Sequence, residues 1–175
     1  DAEVAVPGHA DIIFHLEQPG KNLGAAGGRN LGMSLAQGDY LIMLDDDAIW
    51  SRTDTVARMC QILDECPACG AIAARSLDLH GTPIVMEQPH PNKKYILAAD
   101  QPVELPYFYA MGLGLRAEAV RKVGFFPERY GIYMEEIDLS YRLLDAGYRI
   151  LFNPRIAVHH FKTDLGRPVI GERYW

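Results

Sequence analysis

Hydrophobic residues form two patterns along the chain: short continuous apolar runs, and stretches with apolar residues every three or four positions. The continuous runs predict β-strands at residues 11–16, 40–44, 70–75, 148–152 and 156–160. The three-to-four spacing predicts α-helices at residues 25–36, 53–64, 116–123 and 135–146. This alternation predicts an α/β domain with a mostly parallel central sheet and helices on both of its faces.

The run 40–44 is almost wholly apolar, which is typical of a strand covered on both faces. Between residues 77 and 106 the pattern loosens into a region marked by prolines, without a readable motif. Ligands of α/β sheets bind where strands end at their carboxyl side. This rule directs attention to the residues that follow the run 40–44.

Composition narrows the class of protein. The chain has 175 residues, a net charge of −6 and 49% hydrophobic residues, which predicts one globular domain over residues 1–175 and no nucleic-acid partner. The sequence contains no apolar run long enough for a membrane span and no signal-peptide pattern at its start. Its three cysteines, Cys60, Cys66 and Cys69, lack a second metal-binding pair, so free thiols in a reducing, cytoplasmic compartment are favoured.

Three adjacent carboxylates, Asp45, Asp46 and Asp47, follow the apolar run directly. Side chains at positions i and i+2 of an extended chain point the same way, so Asp45 and Asp47 can converge while Asp46 faces elsewhere. Convergent carboxylates suit Mg²⁺ or Mn²⁺, which bind through one or two carboxylates and substrate phosphates. A solvated turn that caps the next helix is the alternative. The position after a buried strand favours the metal site.

Two later groups are chemically ambiguous. Glu135, Glu136 and Asp138 open a helix, where the helix dipole stabilises acidic residues, and Asp138 can pair with Arg142 at i,i+4. A carboxylate of this group beside apolar walls could equally serve as a general base. His159 and His160 end the last predicted strand, and because adjacent strand residues face opposite ways, at most one of them can join a given site.

The ordered set of motifs resembles the family 2 glycosyltransferases, which are inverting enzymes with the GT-A fold. The resemblance extends over most of the chain, from residue 21 to residue 160. The motifs that carry it lie at residues 22–24, 28–32, 38–47, 123–128, 135–148 and 158–160. It implies a GT-A-like, Rossmann-like sheet with helices on both faces.

The resemblance also implies roles. Asp47, with Asp45, would hold a divalent ion, Mn²⁺ or Mg²⁺, that bridges the two phosphates of a nucleotide-diphosphate sugar. Glu136 would be the general base for the acceptor hydroxyl, with Asp138 as its rival. His159 best matches a late metal-contacting histidine of the family, and His160 is the second candidate.

Further positions would bind substrates, and they lie on the nucleotide side, at the acidic motif and in segment 107–113 beside the acceptor. These positions are Asn22, Arg29, Asn30, Asp45, Asp46 and Gly112. The implied partners are a nucleotide-sugar donor and a glycan or other hydroxyl acceptor, as in polysaccharide biosynthesis. The implied location is the cytoplasm, or the inner face of a membrane.

The family begins with a strand–helix–strand unit that this sequence lacks at its start, so we expect a partial glycosyltransferase domain. This expectation keeps a second function open, a non-catalytic or truncated module that binds nucleotide sugars. A metal-dependent phosphatase or phosphotransferase with a strand-end aspartate nucleophile is a third interpretation, although no hydroxyl residue follows closely after Asp47.

Overall fold

The computed structural model of the protein describes residues 2–3, 12–130 and 134–161. The described strands are β1 (Ala2–Glu3), β2 (His15–Leu16), β3 (Tyr40–Leu44), β4 (Ala48–Trp50), β5 (Cys69–Leu77), β6 (Val103–Glu104), β7 (Gly112–Arg116) and β8 (Arg149–His160). The described helices are α1 (Gly24–Leu35), α2 (Thr55–Glu65), α3 (Lys93–Ala98), α4 (Ala117–Val123) and α5 (Met134–Asp145), with a 3₁₀ turn at Val85–Glu87. The four predicted helices are therefore confirmed to within two residues at each end.

The main sheet has the strand order β3-β7-β5-β8-β4, and β6 also pairs with β8. Among the described strands only β5 and β8 pair in parallel, and the other pairs of this sheet are antiparallel. The predicted α/β class with a central sheet is confirmed, but the prediction of a mostly parallel sheet is wrong. Apolar runs report the burial of a strand and carry no information about its direction.

Several strand predictions need a further correction, and of the run 11–16 only His15–Leu16 forms a strand in the part of the chain that the structure describes. The runs 148–152 and 156–160 belong to one continuous strand, β8, whose register against β5 shifts between Ala73 and Arg75. The run 40–44 lies at the edge of the sheet formed by the described strands, and Leu44 is 40% exposed. An edge strand gains cover from one neighbouring strand only, so β3 is less buried than its composition predicts.

Helices cover both faces of the sheet, as predicted. Alternate residues of β5 face opposite sides, so Ala71 and Ala73 belong to one core and Ile72 and Ala74 to the other. The first core also takes residues from α1, α4 and α5, and the second takes Met59 and Leu63 from α2. Burial on two faces fixes the sheet and thereby the positions of its strand ends.

Glycines end two of these helices. Gly124 follows α4 with φ 88°, and Gly147 follows α5 with φ 86°, which are left-handed conformations that glycine adopts without strain.

No helix within the described ranges is both long enough and apolar enough to cross a bilayer.

Candidate active site

The end of β8 lies against Asp45, Asp46 and Asp47 because β8 pairs with β4, the strand that directly follows these three residues. In the antiparallel pairing of β4 with β8, Ala48 is opposite His160, and the backbone N–H of Phe161 donates to the carbonyl of Asp47 at 2.7 Å. His160 Nε2 consequently lies 3.1 Å from Asp47 Oδ1. Asp45, Asp47 and His160 each offer one ligand atom, and these atoms lie within 4.8 Å of one another. This group could hold a metal ion.

The structure separates the two candidate histidines. His159 Nδ1 lies 2.7 Å from the backbone carbonyl of Asp78 and is outside the group of possible ligands, which contains His160. The resemblance had favoured His159. Adjacent residues of a strand face opposite ways, and the pairing with β4 selects which of the two faces the carboxylates.

A buried glutamate lies behind His160. Glu87 Oε2 is 2.9 Å from His160 Nδ1 and accepts a hydrogen bond from Ser76 Oγ at 2.5 Å. Both Glu87 and His160 are only 8% exposed. The hydrogen bond to Glu87 raises the pKa of His160, and the nearby carboxylates of Asp47 and Asp45 act in the same direction. Sequence reasoning missed Glu87, because it lies in the proline-marked region and belongs to no motif.

Arg29 of α1 connects the possible metal ligands to the acidic residues of α5. Its guanidinium lies 3.0 Å from Asp45 Oδ1, 3.5 Å from Glu135 Oε1 and 3.9 Å from Glu136 Oε1. The guanidinium also lies over the ring of Phe126, 5.8 Å from its centroid. The positive charge of the Arg29 side chain therefore lies between Asp45 and Glu136.

Glu136 is a buried carboxylate at the start of α5, with 6% of the residue exposed. Its Oε1 accepts a hydrogen bond from the backbone N–H of Ala110 at 2.6 Å. Burial raises the pKa of Glu136 to about 8, although Arg29 and the Ala110 N–H act against this rise. A carboxylate with this proton affinity is suited to general acid–base chemistry near neutral pH.

Asp138 has a different environment. It lies 2.6 Å from Arg142 Nε and 3.7 Å from Arg129. The guanidinium of Arg142 also donates to the carbonyls of residues 123, 124 and 125. The structure therefore places Asp138 in an ion pair that ties α5 to the end of α4.

The remaining candidate substrate-binding residues lie around this group. Asn22 is exposed, accepts from the N–H of Gly24 at 2.8 Å and lines a cleft of about 610 Å³ beside α1. The side-chain amide of Asn30 donates to the backbone carbonyl of Phe126 at 2.9 Å and accepts from the backbone N–H of Phe126 at 3.0 Å. Asp46 is exposed and is not part of the possible metal group.

Gly112, at the start of β7, is buried in the sheet. A Cβ atom there would lie 2.6 Å from Val158 Cγ1 and 3.1 Å from Ala74 Cβ, so the position has no room for a side chain. The structure thus brings together Asp45, Asp47 and His160, with Arg29 and Glu136 beside them. Asn22, Asn30, Asp138, His159 and Gly112 make other contacts.

Comparison with known proteins shows the family. Residues 6–124 match the family described as Glycosyl transferase family 2. An uncharacterised protein of Haemophilus influenzae is 32% identical over 129 residues, which is 73% of this chain and 69% of that protein. The N-acetylglucosaminyl-diphospho-decaprenol L-rhamnosyltransferase of Mycobacterium tuberculosis is 40% identical over 65 residues, which is 36% of this chain and 21% of that enzyme.

A solved structure shows the same fold. The mannosyltransferase from Pyrobaculum calidifontis, in complex with GDP-Man and Mn²⁺, aligns with a TM-score of 0.60 and 20% identity. The alignment covers 82% of this chain and 38% of that chain, so this chain spans well under half the length of the mannosyltransferase. The family match and the shared architecture together establish that the chain belongs to glycosyltransferase family 2 and has the GT-A fold.

Proposed function

We propose that the protein is a metal-dependent, inverting glycosyltransferase that moves a sugar from a nucleotide-diphosphate sugar to the hydroxyl of a glycan or other acceptor. The observation that carries the proposal is the convergence of Asp45, Asp47 and His160. Glu136 lies nearby, in contact with the same Arg29 guanidinium that contacts Asp45. A cation site beside a carboxylate of raised pKa offers the two functions that such a transfer needs. These are stabilisation of the departing diphosphate and removal of the acceptor proton.

The ligand group fits a divalent cation. Two carboxylates and one imidazole, close together and partly buried, combine hard oxygen donors with one nitrogen donor, a set that Mn²⁺ accepts and Mg²⁺ accepts through its oxygens. A cation bound there would supply positive charge against the charge that develops on the leaving diphosphate. The complex of the mannosyltransferase with GDP-Man and Mn²⁺ supports this proposal.

Glu136 is the proposed general base. The backbone N–H of Ala110 holds its Oε1, and burial favours uptake of a proton by the carboxylate. In the proposed single displacement the acceptor oxygen forms a bond to the anomeric carbon of the sugar while the bond from that carbon to the diphosphate breaks. The hydroxyl proton passes to Glu136, and attack from the opposite face inverts the anomeric centre.

Arg29 is the proposed link between donor and base. Its contacts with Asp45 and Glu136 place one positive charge between the cation site and the base, where it limits repulsion among the carboxylates.

The proposed location is the cytoplasm or the inner face of a membrane. The three free cysteines support a reducing compartment.

Calorimetric titration tests the donor and metal assignments together. UDP, GDP and dTDP are each titrated into the chain with and without Mn²⁺. We expect one nucleotide to bind only with the metal, and Asp47→Ala to abolish this binding. Asp145→Ala is the matched control, because it removes one exposed carboxylate at the end of α5. Equal nucleotide affinity of Asp47→Ala and the unmodified chain would refute the metal assignment.

A further inference from the structure

We propose that Glu87 is a positioning residue that fixes the imidazole of His160, so that Nε2 faces the cation site formed with Asp45 and Asp47. This inference rests on the proposed function. Glu87 belongs to none of the motifs of the resembled family, and its role follows from contacts that the fold creates between residues 73 positions apart.

The two ring nitrogens of His160 have different partners. Nδ1 lies 2.9 Å from Glu87 Oε2, and Nε2 lies 3.1 Å from Asp47 Oδ1. A carboxylate only accepts hydrogen bonds, so Glu87 favours a proton on Nδ1, and when Nε2 gives up its own proton to bind a cation the ring takes the tautomer protonated on Nδ1 alone. That tautomer leaves the lone pair of Nε2 directed at the side where Asp45 and Asp47 lie. Metal-binding histidines are commonly oriented in this way by a carboxylate on the second nitrogen.

Glu87 is itself held in place from several directions. Ser76 Oγ of β5 donates to the same Oε2 atom at 2.5 Å. The next residue, Gln88, is fully buried and donates through its amide to the carbonyls of Ser76 and Ile84, both at 2.9 Å. Lys93 donates to the carbonyl of Gln88 at 2.6 Å. The 3₁₀ turn is therefore anchored to the end of β5, and Glu87 can hold the ring in one orientation.

Mn²⁺ affinity distinguishes a positioning role from a purely structural one. Free Mn²⁺ is followed by electron paramagnetic resonance during titration of Mn²⁺ alone into the unmodified chain, Glu87→Leu and Glu87→Gln. We expect Glu87→Leu to weaken Mn²⁺ binding about 10–100-fold, because outer partners of metal ligands typically have this effect. Glu87→Gln should weaken it less, because its amide oxygen still accepts from Nδ1. Glu104→Leu, which removes an exposed glutamate, is the control for loss of charge.

Nuclear magnetic resonance of the ¹⁵N-labelled unmodified chain gives a second measurement that needs no variant. With Zn²⁺ bound, which is diamagnetic and takes imidazole nitrogen as a ligand, His160 should carry its proton on Nδ1 and none on Nε2. A proton on Nε2 would overturn the inference, and this measurement decides the matter if Glu87→Leu does not fold.

The outcomes separate the two proposals. If the unmodified chain and Asp47→Ala bind Mn²⁺ equally, or neither binds it, the proposed metal site fails. If Asp47→Ala loses binding while folded Glu87→Leu keeps the affinity of the unmodified chain, only the role of Glu87 fails. A weakening by Glu104→Leu equal to that by Glu87→Leu would also overturn the role, because charge alone would then explain the effect.

Discussion

Glu136 and Asp138 lie two positions apart on α5, yet their carboxylates have different neighbours. Residues i and i+2 of an α-helix are about 200° apart around its axis, so both cannot face one site. Glu136 faces Ala110 and Arg29, whereas Asp138 faces Arg142. The geometry therefore favours Glu136 as the residue that accepts the proton and Asp138 as part of the link between α4 and α5.

Glu136→Gln and Asp138→Asn, which keep the size of the side chain, test whether these two residues have the different roles proposed for them. Glu136→Gln should slow donor hydrolysis, in which water serves as acceptor, by about 10²–10⁴-fold, because it removes the base and little of its shape. Its affinity for the nucleotide should stay unchanged. Asp138→Asn should lose less than tenfold in rate but about 1–3 kcal/mol in the free energy of unfolding, because it weakens the pair with Arg142.

Release of nucleoside diphosphate and urea unfolding measure the two effects. A rate lost in Asp138→Asn and kept in Glu136→Gln would reverse the assignment.

The local spacing of residues in the sequence is enough to predict some residues of the site but not others. Asp45 and Asp47 could be predicted together, because the i,i+2 rule and the preceding apolar run are both local signals. The choice between His159 and His160 depends on the register of β4 against β8, which no local pattern encodes. Glu87 reaches His160 only through the tertiary fold, so its sequence neighbourhood contains no sign of its position.

At the scale of the elements, the start of β7 packs closely against a side chain of β8, although β5 lies between these two strands in the sheet. Gly112 lies where a Cβ would be 2.6 Å from Val158 Cγ1, two residues before His160 on β8. A side chain at this position would have to push the Val158 side chain aside or shift β7. The sequence resemblance placed Gly112 beside the acceptor, whereas the packing shows why a residue without a side chain is needed there.

Gly112→Ala should therefore lower the free energy of unfolding by about 1–3 kcal/mol, the range for overpacking a dense interior. Gly32→Ala is the matched control, because a Cβ on that residue of α1 meets nothing within 4 Å. Alanine in a helix interior should add about 0.5–1 kcal/mol there. Urea denaturation of both variants measures the difference. Equal stability of Gly112→Ala and the unmodified chain would show that β7 and β8 adjust without cost.

Element positions were more predictable than their arrangement. The helices follow from the spacing of apolar residues, because each needs one apolar face against the sheet. Strand direction does not follow, because β7 returns antiparallel to β5 after the long connection of residues 78–111, whose short elements α3 and β6 the sequence pattern did not predict. The continuity of β8 through Asn153 and Pro154 was also missed, since both residues are typical of loops.

At the scale of the whole molecule, the two cores enclose a sheet whose strand ends carry several acidic groups, and one of these affects global stability. Burial raises the pKa of Glu136 from 4.5 to about 8. Between these values the folded protein binds a proton that the unfolded chain has released. The free energy of unfolding therefore falls as pH rises through this window, and the contribution of Glu136 is fully present only below about pH 4.5.

Glu136→Gln removes this titration and keeps the acceptor for the Ala110 N–H. Its melting temperature should be close to that of the unmodified chain at pH 5 and several degrees higher at pH 8.5, because only the unmodified chain must then bury a charged carboxylate or take up a proton. Thermal unfolding of both proteins at intervals between pH 5 and 8.5, without metal, measures the divergence. Melting curves that stay parallel over this range would show that Glu136 is ionised in the folded protein throughout, and its high proton affinity could then no longer support its role as the base.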